Sequence, residues 1–284
     1  MSIFQVHWRG DSALFDKATS LNKTEVDLTG GYYDAGDFLK LGFPLAFSMT
    51  TLSWGTLHFW DAYLAMGNLN DALELIKWGL DWIIKCIVLN KETGAVNQVR
   101  LPIRRLKLTF AQIFVQVDTK ASHMIWDRPE SIGRGWPRPA FSITKDKPGT
   151  DIASEYAAAL ASGHLLFQRA LEIEYFEDED YVNKLRNLAK KVWTFSESAK
   201  KNGKGVLYSD SVPEAKEMYK SSHYQDERVW AALWLYRATG DDKYYDLARQ
   251  NIDQYKFASQ TAASHMFRYF KSVVRIKLTK LIKH

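Results

Sequence analysis

Apolar residues in this chain fall in blocks of helical length, separated by short polar turns. One block opens at Pro44, runs from Leu45 to Met66 and stops at Gly67, with proline and glycine at the ends where helices favour them. In the next, Asp71 to Leu89, the polar residues Asp71, Glu74, Lys77, Asp81 and Lys85 recur every three or four positions. They form one narrow stripe on an otherwise apolar helix, which predicts burial on most sides. A third helix begins at Asp151 and carries Ala153, Ala157, Ala158, Ala159, Ala161 and Gly163, small residues that admit a close neighbour. A fourth puts Val182, Leu185, Leu188, Val192 and Phe195 on one face ahead of Gly203. The fifth covers Asp226–Thr239 and the sixth Tyr244–Phe257.

Two junctions share one pattern: Ala65-Met-Gly67-Asn-Leu-Asn-Asp and Ala238-Thr-Gly240-Asp-Asp-Lys. Each reads as helix, glycine stop, polar turn and next helix, the signature of repeated αα-hairpins. Residues 8–43 read as glycine-punctuated loop, and no period-2 strand is expected in the acidic body of the chain. The class is all-α, built from stacked hairpins.

Composition narrows the function classes. Hydrophobic residues make up 46% and charged residues 25% of the 284, a globular balance that excludes disorder. The single cysteine, Cys86, excludes an intrachain disulfide and any cysteine-built zinc or iron–sulfur site, and reads as core filler. The histidines are scattered, with His58 and His164 expected to pack within helices. No apolar run reaches the roughly 18 residues of a membrane span. The first residues show neither the basic nor the apolar region of a signal peptide.

The net charge of +5 suggests nucleic acid until its source is located. Gln98–Val117 and Phe257–His284 hold ten basic residues and no acid; the remainder is acidic, with 28 basic against 33 acidic residues, so no nucleic-acid partner is expected. The second segment has two readings: a basic amphipathic helix for a membrane surface or partner, or a stretch foreign to the domain. The break in composition favours the latter.

The densest chemistry is Asp27-Leu-Thr-Gly-Gly-Tyr-Tyr-Asp34-Ala-Gly-Asp37. Two carboxylates three apart on a glycine loop can hold and deprotonate a water, and flanking aromatics suit a sugar face. Such a pair serves equally as a turn or helix cap. The surrounding motifs decide between them. Trp8-Arg-Gly-Asp-Ser-Ala-Leu14, the Asp27–Asp37 run, His123-Met-Ile-Trp126-Asp-Arg-Pro-Glu130, Arg138-Pro139, Pro148-Gly-Thr-Asp-Ile-Ala-Ser-Glu155 and Tyr219-Lys-Ser-Ser-His-Tyr-Gln-Asp-Glu227 follow in order. Together they closely resemble glycoside hydrolase family 9, the endo-β-1,4-glucanases.

The resemblance implies an (α/α)6 barrel, a secreted enzyme, a β-1,4-glucan substrate such as cellulose, and hydrolysis with inversion by two separated carboxyl groups. By motif position Asp37 is the base and Asp34 its partner in holding water, while His123, Trp126 and Tyr219 line a glucose subsite. No catalytic cofactor is implied. Some members bind calcium beside a Ser-x-x-x-Asp-Glu motif, here Ser222, Asp226 and Glu227, although Asp226-Glu227 also reads as a charged first helical turn.

The resemblance also defines what is missing. The family barrel has twelve helices and six are read here, so about half the ring is expected, with an apolar face such as Leu73–Val88 left exposed. Residues 1–256 read as a partial catalytic domain, truncated at both ends. Gln98–Ile113 reads as an insertion interrupting a block that resumes at Phe114-Val-Gln-Val-Asp118, and 257–284 as a basic tail outside the family. The family's general acid is a Glu near the domain end, and no acidic residue follows Phe257. The chain is therefore expected to be weak or inactive by itself, the alternative being a non-catalytic glucan-binding fragment.

Overall fold

The structure is a computed structural model that describes residues 8–91, 108–133 and 135–255. A short antiparallel hairpin, β1 (Lys17–Thr19) and β2 (Glu25–Asp27), opens the chain. Then come β3 (Lys40–Leu41), α1 (Gly42–His58), α2 (Trp60–Ala65), α3 (Leu69–Lys85), β4 (Ile87–Lys91), β5 (Leu108–Val117), α4 (Lys120–His123) and β6 (Ala140–Ile143). The rest is helical: α5 (Thr150–Glu172), α6 (Glu179–Ser198), α7 (Tyr208–Ser211), α8 (Gln225–Thr239) and α9 (Asp242–Gln254).

The six long helices α1, α3, α5, α6, α8 and α9 are the six expected. The first block breaks at Phe59 into α1 and α2, and the second leaves the helix after Lys85. Gly67 and Gly240 follow α2 and α8 at φ of 72° and 68°, the left-handed geometry that ends a helix. Asp178 and Asp241 cap α6 and α9 by accepting the backbone N–H groups of Tyr181 and Lys243. Within α1, Thr50 and Thr56 donate to the carbonyls of Ala46 and Leu52, so these hydroxyls are buried without loss of a partner.

Helix α5 is the hub, packed against α1, α3, α6 and α8. Its small residues permit this. A Cβ on Gly163 would lie 2.5 Å from Leu80 Cδ1 of α3. The apolar face expected to be exposed on α3 is covered: Leu73, Ile76, Leu80 and Ile83 are buried because α1 and α5 both close over it. On α3 Trp78 stays exposed, and a run of exposed large apolar residues, Leu52, Phe59, Leu64 and Met66, lies along α1 and α2. His58, expected in a packed position, is exposed at the end of α1 with its ring edge-on to Phe59; His164 is buried as expected.

The expectation of no strand in the acidic body also fails, since β1, β2, β3, β4 and β6 lie there, while β5 falls in the basic Gln98–Val117 segment. A four-stranded sheet runs in the order β3-β5-β4, with β6 also paired to β5. Residues 112–118 are buried without alternation, so β5 carries no period-2 signal. Gln112 and Ile113, assigned by sequence to the end of an insertion, are built into β5, where Ile113 pairs with both Ile87 and Ile143. Most of the remaining 98–113 segment and all of 257–284 lie outside the described residues.

Candidate active site

The loop that carries the carboxylates, residues 28–39, is held by side chains reaching from α3. Trp82 Nε1 donates to the Leu28 carbonyl at 3.1 Å, Trp78 Nε1 to Gly31 at 2.8 Å, and Lys85 Nζ to Thr29 at 3.0 Å. Gly31 sits at φ 73° against Trp82, where an added Cβ would be 2.6 Å from the ring, so both backbone and space require glycine.

One rung of the sheet assembles the site. Lys40 of β3 pairs with Val117 of β5, which pairs on its other side with Ala140 of β6. Asp37 lies three residues before this rung on β3, α4 begins three residues after it on β5, and Arg138 lies two residues before it on β6. His123, at the end of α4, therefore meets Asp37: its Nδ1 stands 2.5 Å from Asp37 Oδ2. The other oxygen, Oδ1, accepts the backbone N–H of Leu39 at 3.1 Å. Asp37 is almost wholly buried, while the His123 side chain stays 38% exposed and presents the pair to solvent.

Asp34 is half-buried beside it and accepts a hydrogen bond from the Tyr219 hydroxyl at 3.0 Å. Burial raises the Asp34 carboxyl above the usual range, Tyr219 opposes that rise, and the negative Asp37 adds to it. Burial and the adjacent Asp34 push the Tyr219 phenol up to about 12, so it remains a neutral donor. Trp126 is 65% exposed, its ring edge-on to His123 at 6.0 Å between centroids. It lies over Gly36, where an added Cβ would come within 2.7 Å of Trp126 Cε3. The structure thus brings Asp34, Asp37, His123, Trp126 and Tyr219 to one place. A cavity of about 220 Å³ between α1 and α3 touches Asp34 from the other side; its lining includes Leu45, Met49 and Leu75 but none of Asp37, His123 or Trp126.

Four buried charges carry no role in the sequence reading, Asp16 and Lys40 outright and Arg138 and Asp118 although they stand in motifs. Arg138 is bonded to both oxygens of Asp16, to Asp118 and to the Phe38 carbonyl, and Lys40 pairs with Asp16 at 2.6 Å. The available signal was the placement of Lys40 between Leu39 and Leu41 and of Asp118 after an apolar run.

A second acidic group occupies the heads of α5 and α8. Asp226 and Glu227 stand in the first turn of α8 and face Glu155 and Asp151 of α5. Glu155 Oε2, Asp226 Oδ1 and Glu227 Oε2 are shut off from solvent without a hydrogen-bond partner. Burial, then the neighbouring Asp226 and Asp151, pushes Glu155 up to about 8, and burial raises Asp151 to about 7. Ser222 is exposed, whereas Ser221 is the buried serine of this turn. Among the described residues no group of three or more His, Cys, Asp and Glu is spaced to hold a metal ion.

Comparison with known proteins identifies the family of the chain. The family model "Glycosyl hydrolase family 9" matches residues 2–284. The chain belongs to glycosyl hydrolase family 9. It is 37% identical over 252 residues to Endoglucanase 21 of Oryza sativa subsp. japonica, covering 88% of this chain and 40% of that protein. The endoglucanase of the termite Nasutitermes takasagoensis superposes with a TM-score of 0.79 at 34% identity, over 100% of this chain and 57% of that one. The cellulase Cel9M of C. cellulolyticum in complex with cellobiose superposes with a TM-score of 0.63 at 28% identity, over 88% of this chain and 48% of that one. The chain thus spans two fifths of the curated relative's length. Its helices form an incomplete (α/α)6 barrel of the family type. No described helix is long and apolar enough to cross a membrane.

Proposed function

We propose that this family 9 chain carries the base half of an endo-β-1,4-glucanase that hydrolyses internal bonds of cellulose-like glucans with inversion. The observation that carries the reading is the Asp37–His123 pair, with Asp34 beside it and an exposed Trp126 over Gly36. In this reading Asp37 takes the proton from a water that attacks the anomeric carbon. Both its oxygens are already oriented, Oδ2 by His123 and Oδ1 by Leu39, and each keeps a further lone pair for the water. Asp34, drawn toward Tyr219, holds the same water from the second side. Trp126 offers a flat apolar face to a glucose ring, and secretion follows from the family.

Departure of the leaving sugar needs a general acid, and no glutamate follows Glu227 in these 284 residues. Loss of such a partner costs about 10²–10⁴ in rate, so the chain by itself binds glucan and turns it over slowly or not at all. No cofactor takes part in bond cleavage. The oxygen-only donors at the head of α8, with orphaned carboxylate oxygens, fit a hard cation such as calcium. Asp226 and Glu227 would hold it and it would offset buried negative charge, but the exposed Ser222 would first have to turn inward and the carboxylates to close up around the ion.

The test is titration calorimetry with cello-oligosaccharides together with reducing-end release from carboxymethylcellulose. Binding is expected, and any turnover is lost in Asp37→Ala. Absence of binding, or undiminished turnover in that variant, overturns the reading. Binding without any turnover favours the second reading, a non-catalytic glucan-binding fragment.

A further inference from the structure

We propose that Arg138 is a positioning residue for the Asp37–His123 pair, locking the two arms that carry them into one register; this rests on Asp37 being the base. The arms are far apart in the chain, the paired side chains standing 86 positions apart. Arg138 touches both. Its Nη1 donates to the carbonyl of Phe38, the residue next to Asp37, at 2.9 Å, and to Asp118 Oδ2 at 2.6 Å. Asp118 stands two residues before α4, and its other oxygen accepts the Thr119 N–H at 2.7 Å, fixing the stem of the helix that ends at His123. The remaining side of the guanidinium grips Asp16 through Nε at 2.5 Å and Nη2 at 3.1 Å. Asp16 also binds Lys40, so the group is neutral, with two cations and two anions.

The geometry demands arginine. Four of its five N–H groups point at three partners in different directions, a fork that a lysine ammonium cannot span. The side chains of Arg138, Asp16 and Asp118 are at most 2% exposed, so a missing bond is not replaced by water. Asp118 adopts φ 77°, a left-handed conformation that aspartate and asparagine tolerate and most residues do not. A site built only for stability had no need to engage the backbone beside the base and the stem of its partner at the same nitrogen.

The readout is the tautomer of His123, since Asp37 Oδ2 as a carboxylate can only accept and so selects the Nδ1–H form. Ring ¹⁵N shifts are recorded above the ordinary imidazole titration range, with His123 assigned through His123→Gln. The native chain is expected to show the Nδ1–H form. Arg138→Lys, which keeps the charge and loses the fork, shifts the ring toward a mixture with Nε2–H. Val182→Ala, a remote core truncation, leaves the tautomer unchanged although it lowers stability. Where Arg138→Lys fails to fold, Asp118→Asn, isosteric and compatible with φ 77°, carries the same test. A folded variant with native ring shifts, a native ring that is already mixed, or an equal shift in Val182→Ala overturns the proposal. Turnover retained in Asp37→Asn would instead remove the role of Asp37 as base and leave the tautomer result standing.

Discussion

Two glycines in long helices allow the packing argument for the hub to be tested by sign as well as size. Gly163 lies in α5, and its added Cβ would sit 2.5 Å from Leu80 Cδ1, with Cδ2 and Cγ at 3.4 and 3.5 Å. Methyl carbons pack at roughly 3.5–4.0 Å, so one contact must open by about 1 Å. Leu80 is fully buried and has no solvent into which to turn. Overpacking of this kind costs about 1–3 kcal/mol, whereas replacing glycine by alanine inside a helix returns about 0.5–1 kcal/mol. Gly163→Ala is therefore expected to lose up to about 2.5 kcal/mol. Gly55, in α1, has nothing within 4 Å of its Cβ position, so only the helix gain applies and Gly55→Ala is expected to stabilise. Urea unfolding measures both, with unchanged m values showing that stability alone has moved. Leu80→Val, which withdraws the colliding methyl, should couple favourably with Gly163→Ala in a double-mutant cycle. Equal stabilisation by both alanines would refute the close approach of α3 and α5.

Gly36→Ala is expected to push Trp126 off its seat and weaken cello-oligosaccharide binding about 5- to 10-fold, in keeping with a lost aromatic contact of about 1 kcal/mol, with little change in stability because Trp126 is exposed; unchanged calorimetric affinity would argue that Trp126 is not a platform. His164 is buried in α5, and burial lowers its pKa while its Nδ1 faces the Val182 carbonyl. The unfolded chain then takes up the proton first, so this residue's contribution to stability is present above about pH 6.5 and is lost as pH falls, by up to about 1.4 kcal/mol per unit. Urea unfolding of His164→Gln at the two ends of that range should show a shallower pH dependence than the native chain, and parallel profiles would dismiss the argument. Calcium at a hundredfold excess over its dissociation constant should raise the unfolding temperature by about 5–10 °C. Glu227→Gln should abolish that response; a calorimetric midpoint indifferent to calcium in the native chain would exclude the ion.

The helices were legible because each is amphipathic or flanked by strong stop signals, as Gly67 and Gly240 show. The sheet was not, and the cause is burial on both faces. Ile113, Phe114 and Val115 are all inside, so the strand presents an apolar run that periodicity cannot tell from a helix. Asp34, Asp37, His123, Trp126 and Tyr219 were legible through family motifs. The pairing of Asp37 with His123 was not, because it depends on a contact across 86 positions. Arg138 stood in a matched motif with no role attached, since a guanidinium's function lies in the directions of its bonds. The exposed face of the incomplete ring was misjudged for a related reason. The stripe on α3 correctly predicted burial, but only the packing of α1 and α5 showed which neighbours supply it.

These failures converge on one physical point: the candidate active site is a property of strand register. Asp37, the α4 stem and Arg138 are placed by the single rung Lys40–Val117–Ala140. A slip of one residue in β5 reverses the face of every side chain on that strand. It would also part Asp118 from Arg138 and carry His123 away from Asp37. Hydrophobic burial of Phe114, Val115 and Val117 resists such a slip, yet apolar contacts are non-directional and several registers bury similar area. The ion group is directional and tolerates only one. Replacing a buried ion pair by apolar residues is often neutral or stabilising, so stability gives little reason to keep four charges here. Specificity does: one register satisfies both oxygens of Asp16, the fork of Arg138 and the backbone beside Asp37, and that same register closes the Asp37–His123 pair.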